Sequence, residues 1–336
     1  MNPKISLVIP NYNYGKFLSQ TLDSLAGQTT QDFEVIVVDD GSTDNSRHIV
    51  EGYLQGLNGK LKYIYQNNQG VAVARNTGIK EAIGEFITFL DADDILLPHA
   101  LQSLSSYLEV NCHEGMVYGN SEIFDNTTNK ILGYNHPLDG QEVPATRPNR
   151  TPYTGRCADK FFLHGNFVSI CSTMIRRKIF DELGCFDHRF LVGEDMDMYI
   201  RISSKYPIGY MKQVMARRRR HPESLVYNDM KGAKARVLIT RKCLINIPGL
   251  RASVGEQAIN KRIYIDYYRL GMTLILNGQP LRGRRWLIKA WQLDKNIFNN
   301  KIALYYMLSM LPSLAALKSL RQKWHLVRRK LLKRLA

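Results

Sequence analysis

Apolar residues in the first third of the chain fall into two alternating kinds of segment. Residues 5–9, 34–38, 62–65 and 86–90 are short runs rich in β-branched and aromatic side chains, the pattern of buried strands. Between them, Phe17, Leu18, Leu22 and Leu25 recur at helical spacing before Gly27. Ser42, Thr43, Asp44, Asn45 and Ser46 offer N-caps for a second helix carrying Ile49 and Val50. Residues 71–83 read as a third helix, ended by Gly84. This alternation predicts an α/β fold, a mostly parallel sheet flanked by helices on both faces.

The pattern weakens afterwards. Residues 133–165 are rich in Pro, Gly, Asn and Thr without a clear period, which predicts a long loop. Helices are expected over 175–183, stopped by Gly184, and over 194–204. From about Met230 the pattern is almost wholly helical, with a helix hairpin over 270–291 turning at Asn277, Gly278, Gln279 and Pro280. Two domains are expected, 1–227 and a basic, mainly helical region 228–336. Residues 324–335 place Trp324, Leu326, Val327, Leu331, Leu332 and Leu335 among Lys and Arg, a basic amphipathic helix.

Charge sharpens that division. The net charge is +16, yet the chain holds 27 lysines and arginines against 5 acids from Arg217 onward, and 19 against 25 before it. Such asymmetry points to an anionic partner, a membrane surface or a nucleic acid. A basic amphipathic helix also suits the surface of a packed helical subdomain. The apolar stretch 302–317 is shorter than the roughly 20 residues of a spanning helix and contains Pro312. The run 5–9 is strand-length and ends at Pro10, unlike a signal peptide. The five cysteines, Cys112, Cys157, Cys171, Cys185 and Cys243, are scattered without metal or disulfide spacing, which fits a reducing cytoplasm.

Candidate chemistry gathers where strands end. Asp91 and Asp93, with Asp94 behind them, follow the run 86–90, and open α/β sheets bind ligands outside the carboxyl ends of their strands. Three acids packed there repel one another unless a cation neutralises them, and hard oxygen ligands suit Mg²⁺ or Mn²⁺. The alternative is an acidic loop before Pro98 that caps the next helix. Asp39 and Asp40 end the second strand, as base-binding carboxylates or as turn formers. Glu194 and Asp195 open a helix, where the dipole would keep a carboxylate ionised whether or not it is catalytic.

The strand-loop 5–13, the strand-turn 34–44, Asn68-Gln69-Gly70, Ala74-Arg75-Asn76, the acidic triplet and Glu194-Asp195 closely resemble, in order and spacing, the family 2 glycosyltransferases. The resemblance covers about residues 3–225 and is weak after Tyr227. It implies a GT-A type, Rossmann-like fold and inverting transfer from a nucleotide sugar, UDP-linked, to a hydroxyl acceptor. It puts Pro10, Tyr12, Asp40 and Arg75 around the base, with Asp39 less defined, Asp91 on the ribose or a metal-bound water, and Asp93 on Mn²⁺ or Mg²⁺. Arg219, His221 and Ser224 match an Arg-x-His-x-x-Ser stretch of related enzymes, which makes His221 a second metal ligand. Arg219 or Arg220 would meet the diphosphate or acceptor, unless the arginine run is a solvated face. Asp195 would be the general base and Glu194 would position donor or acceptor.

Two other functions compete. A nucleotidyltransferase also uses acids on an α/β sheet, but its first loop would be Gly-rich with a following Lys or Arg, where this chain has Asn11-Tyr12-Asn13-Tyr14. A nucleic-acid-binding role for the basic region lacks any helix-turn-helix, RNP-type or zinc signature. The favoured expectation is therefore a cytoplasmic enzyme, peripheral on the inner face of an anionic membrane, acting on a glycan or lipid-linked acceptor, with no nucleic-acid partner.

Overall fold

The structure is a computed structural model that describes residues 2–54, 59–138, 151–221 and 229–293. The chain divides into two compact units, Met1–Ser224 and Leu225–Ala336. The first begins with β1 (Ile5–Asn11), α1 (Gly15–Ala26), β2 (Phe33–Asp39), α2 (Ser46–Tyr53), β3 (Leu61–Tyr65), α3 (Val71–Glu81) and β4 (Phe86–Phe89). It continues through β5 (Ile95–Leu96), α4 (Ala100–Val110), β6 (Met116–Asp125), β7 (Ile131–Tyr134) and α5 (Ala158–His164). It closes with β8 (Thr173–Arg176), α6 (Lys178–Leu183), α7 (Glu194–Lys205) and β9 (Ile208–Arg220).

The described strands form one sheet in the order β3-β2-β1-β4-β8-β6-β9-β5, with β7 pairing β6. The half read from sequence is parallel: β1 lies between β2 and β4, and β2 also pairs β3. The other half is mixed, since β8 runs antiparallel to β4 and β6 while β6 and β9 are parallel. β1 is buried along its whole length. Ile5, Leu7 and Ile9 join Leu18, Leu22 and Leu25 of α1 in the core. Val8 points to the opposite face, against Gly78 of α3. Burial on both faces is why this strand is apolar from Leu7 to Pro10, with polar Ser6 and Asn11 buried beside it.

That close approach of α3 carries a prediction. A Cβ on Gly78 would stand 2.3 Å from Val8 Cγ1. Gly78→Ala is therefore expected to cost about 1–3 kcal/mol, the usual penalty for overpacking a core, read as a lowered melting temperature. An unchanged melt would show that Val8 can turn aside.

Two sequence expectations change. The helix expected over 175–183 starts only at Lys178, because Thr173–Arg176 is strand β8, wholly buried between β4 and β6. Pairing on both edges outweighs the helical spacing of its apolar residues. The loop expected over 133–165 holds the end of β7 and helix α5, whose Phe161 and Phe162 are buried; residues 139–150 lie outside the described set.

The second unit contains α8 (Asp229–Asn246), α9 (Leu250–Val254), α10 (Glu256–Leu276) and α11 (Pro280–Leu293). α10 and α11 form the expected hairpin, turning over residues 277–279. Their backbones nearly touch: a Cβ on Gly283 would lie 2.6 Å from the Gly271 carbonyl oxygen. Thr240 of α8 is tied to α10 by donating at 2.7 Å to Asp266 Oδ2, the oxygen that also pairs within α10 with Arg262 Nε at 3.0 Å, all of them buried. No helix among the described residues is long and apolar enough to cross a membrane. The segments 302–317 and 324–335 lie outside the described residues.

Candidate active site

Because β2, β1 and β4 are adjacent and parallel, their carboxyl ends bring three loops together. Pro10 pairs with Val38 one step before the end of the β1–β2 ladder, and Tyr12 just beyond β1 is 47% exposed. Asp39 accepts hydrogen bonds from the Ser42 amide (2.7 Å) and the Tyr63 hydroxyl (2.8 Å). Asp40 is buried and accepts from Gln66 Nε2 (2.6 Å), the Gln69 amide (2.9 Å) and the Gly70 amide (2.7 Å). Asp40 thus fastens the 66–70 loop to the end of β2, and Gly70, at φ +92°, opens α3 from that loop.

Asp91, Asp93 and Asp94 follow β4, their carboxylate oxygens within 4.8 Å of one another. Each has a different role in the packing. Asp94 is buried and accepts from the Arg219 amide at 2.9 Å, which locks the loop to β9. Burial, then the Asp93 charge, pushes its pKa well above the usual carboxylate range, with Arg218 opposing. Asp93 Oδ2 faces His221 Nε2 at 2.9 Å. Two ligands of one cation at about 2.1 Å each stand roughly 3 Å apart, so this pair and the crowded carboxylates fit a divalent ion. Asp91 accepts from Arg75 Nη2 at 2.7 Å.

The arginine run is a strand, not a solvated face. Arg217 bonds Glu122 at 2.7 Å and lies over Phe124. Arg219 donates to the Asp93 carbonyl (2.8 Å), Asn126 (2.8 Å) and Gln20 (2.6 Å), so its guanidinium is committed within the fold. Arg220 is exposed on β9, and Ser224 lies outside the described residues. Arg218, which the motifs did not single out, opposes the acids: burial disfavours its charge, and Cys171, Asp94, Asp91 and Asp93 more than offset that.

Arg75 joins the acidic loop to α7. Its Nη1 bonds Glu194 while Nη2 holds Asp91. Burial opposes its charge, and the two carboxylates overcome that and raise its pKa. Expected near the base, Arg75 is here a bridge between the cluster and the helix that starts at Glu194. Asp195, one residue on, accepts from Asn166 Nδ2 and from the Met196 amide, both at 2.7 Å. Burial raises its pKa, and Arg75, the Met196 amide and Asn166 pull the other way. Asn166 escaped the sequence reading because it lies between α5 and β8, just past the aperiodic stretch; only folding brings it to Asp195.

The sequence profile described as Glycosyl transferase family 2 matches residues 6–184, more than half of the chain. The chain belongs to that family. The match assigns residues 6–184 to a glycosyltransferase family rather than a nucleotidyltransferase one, and the basic region from Arg217 onward lies outside it. Among relatives of this family 2 member, an uncharacterized glycosyltransferase of Nostoc sp., alr2836, is 42% identical over 128 residues, 36% of this chain and 40% of the relative. The chain spans only 34–40% of the length of the first three curated relatives it matches. Staphylococcus aureus TarS 1-349 in complex with UDP-GlcNAc superposes with a TM-score of 0.61 at 20% identity, over 90% of this chain and 84% of that one. The mannosyltransferase PcManGT of Pyrobaculum calidifontis, in complex with GDP-Man and Mn²⁺, gives 0.58 at 15% identity, over 92% and 84%. At these identities the likeness is one of fold, and the fold is GT-A.

Proposed function

We propose that this family 2 member transfers a sugar from a nucleotide sugar, UDP-linked, to an acceptor hydroxyl, with inversion at the sugar carbon and with Mn²⁺ or Mg²⁺ as cofactor. The observation that carries this reading is the separation of two acidic groups by one arginine. The Asp91–Asp94 cluster can meet a diphosphate, and Asp195 opens α7 on the far side of Arg75. One leaving-group site and one base suffice for a single in-line displacement, without a second nucleophilic carboxylate.

Asp93 and His221 would hold the cation, which supplies Lewis-acid stabilisation of the departing diphosphate. Asp39, Asp40, Pro10 and Tyr12 would frame the base; Asp40 acts there chiefly by fixing the 66–70 loop. Asp91 would meet the ribose. Asp195 would accept the proton of the acceptor hydroxyl, and Asn166 orients its carboxylate for that. Glu194, held by Arg75, would keep Asp91 and the base helix in register. Arg218 would hold charge near the diphosphate more readily than Arg219, whose donors are already engaged. The basic second unit supports a place at the inner face of an anionic membrane and a lipid-linked or cell-surface glycan acceptor.

A panel of nucleotide sugars with and without Mn²⁺ tests this reading. A donor present at 100 times its dissociation constant stabilises by about 2.7 kcal/mol, so the true donor should raise the melting temperature only when the metal is present. If no nucleotide sugar shifts the melt or is hydrolysed with either metal, the reading fails.

A further inference from the structure

A groove of about 690 Å³ runs along the second unit between α8, α10 and α11. Val237, Leu270 and Leu274 are its buried floor, and Trp286 packs against them. Five exposed cations line the same groove: Lys234 and Arg241 from α8, and Arg282, Arg285 and Lys289 from α11. The spacing explains this. Positions 234 and 241 stand two turns apart on one face of α8, and 282, 285 and 289 share one face of α11. Arg241 is oriented by the Tyr267 hydroxyl at 3.1 Å, and Lys289 Nζ lies 4.9 Å from the Trp286 ring centre. The described carboxylates of this unit are spent elsewhere, Glu256 on Arg251 and Asp266 on Arg262. Leu238 and Ile288, 48% and 40% exposed, also line the groove.

We propose that this groove binds an anionic phospholipid of the bilayer: the cations take the phosphate, and the apolar floor takes the first part of an acyl chain. A volume of about 690 Å³ suits a ligand of that size. Charge complementarity selects an anion. The apolar floor and exposed Leu238 and Ile288 select a lipid over a nucleic acid, whose bases would need stacking planes, and the one indole here is already approached by Arg241 and Lys289. The inference deepens the membrane reading above and rests on it for the presence of a bilayer.

Co-sedimentation of the full chain with vesicles of phosphatidylcholine, alone or mixed with phosphatidylglycerol, tests it. Arg285→Gln with Lys289→Gln should weaken binding to the anionic vesicles by roughly 30-fold, from about 1 kcal/mol for each cation at the surface. The charge-matched pair Lys231→Gln with Lys261→Gln, outside the groove, should weaken it far less. Leu238→Gln should remove the binding that survives high salt. Equal losses in both pairs would mean diffuse charge and overturn the inference, as would polyphosphate bound as tightly as vesicles. If the intact chain ignores anionic vesicles, the membrane reading itself falls. If it binds them and loses binding only on truncation after Leu320, the membrane reading stands and the groove is excluded.

Discussion

Asp195→Asn is expected to lower turnover about 10²–10⁴-fold, the usual contribution of a general base, while leaving donor affinity unchanged. Asparagine keeps the acceptor for the Met196 amide but turns a donor toward Asn166 Nδ2, whose own carbonyl is engaged by the Val168 amide at 3.0 Å. One lost hydrogen bond costs on the order of 1 kcal/mol, so the fold should survive. The pH profile adds a separate check. A base works ionised, so turnover should fall as pH drops through the Asp195 pKa. Burial raises that pKa, so the acid limb should lie at higher pH than for an ordinary carboxylate. Asn166→Ala removes a donor that favours the ionised form and should move the limb higher still. Loss of donor binding together with turnover would make Asp195 a donor-site or structural residue instead.

Asp93→Ala should abolish Mn²⁺-dependent donor binding and reduce turnover by roughly 100-fold or more, since metal stabilisation of a leaving group contributes several kcal/mol. The fold should persist, because Arg219 bonds the Asp93 carbonyl, which alanine retains, and Asp94 still accepts from the Arg219 amide. Asp94→Asn is the informative contrast. Its amide oxygen can still accept that bond, while the charge that burial and Asp93 disfavour is gone. It should fold at least as well without metal. Turnover undiminished by a chelator would remove the metal from the mechanism and leave the cluster a structural loop.

The parts legible in the sequence are those whose cause is local. Strands β1, β2 and β4 announce themselves because a strand buried on both faces is largely apolar, and edge strand β3 does so by its β-branched and aromatic residues. Helices α1 to α3 do so because a helix buried on one face must repeat its apolar residues. The acids after β4 and at the start of α7 were also readable, since strand ends and helix starts have fixed chemistry. Tertiary structure alone decided β8, where pairing with β4 and β6 overrode a helical pattern, and it made the arginine run the last four residues of strand β9, paired along β6. It also chose the partners: Arg75 reaches Glu194 across 119 residues, Arg219 reaches Asp94 across 125, and Asn166 reaches Asp195 across 29. Side-chain identity states what a group can bond to. Which partner it meets depends on packing that brings distant segments together, and in a buried site each charge must find a partner among whatever the fold places beside it.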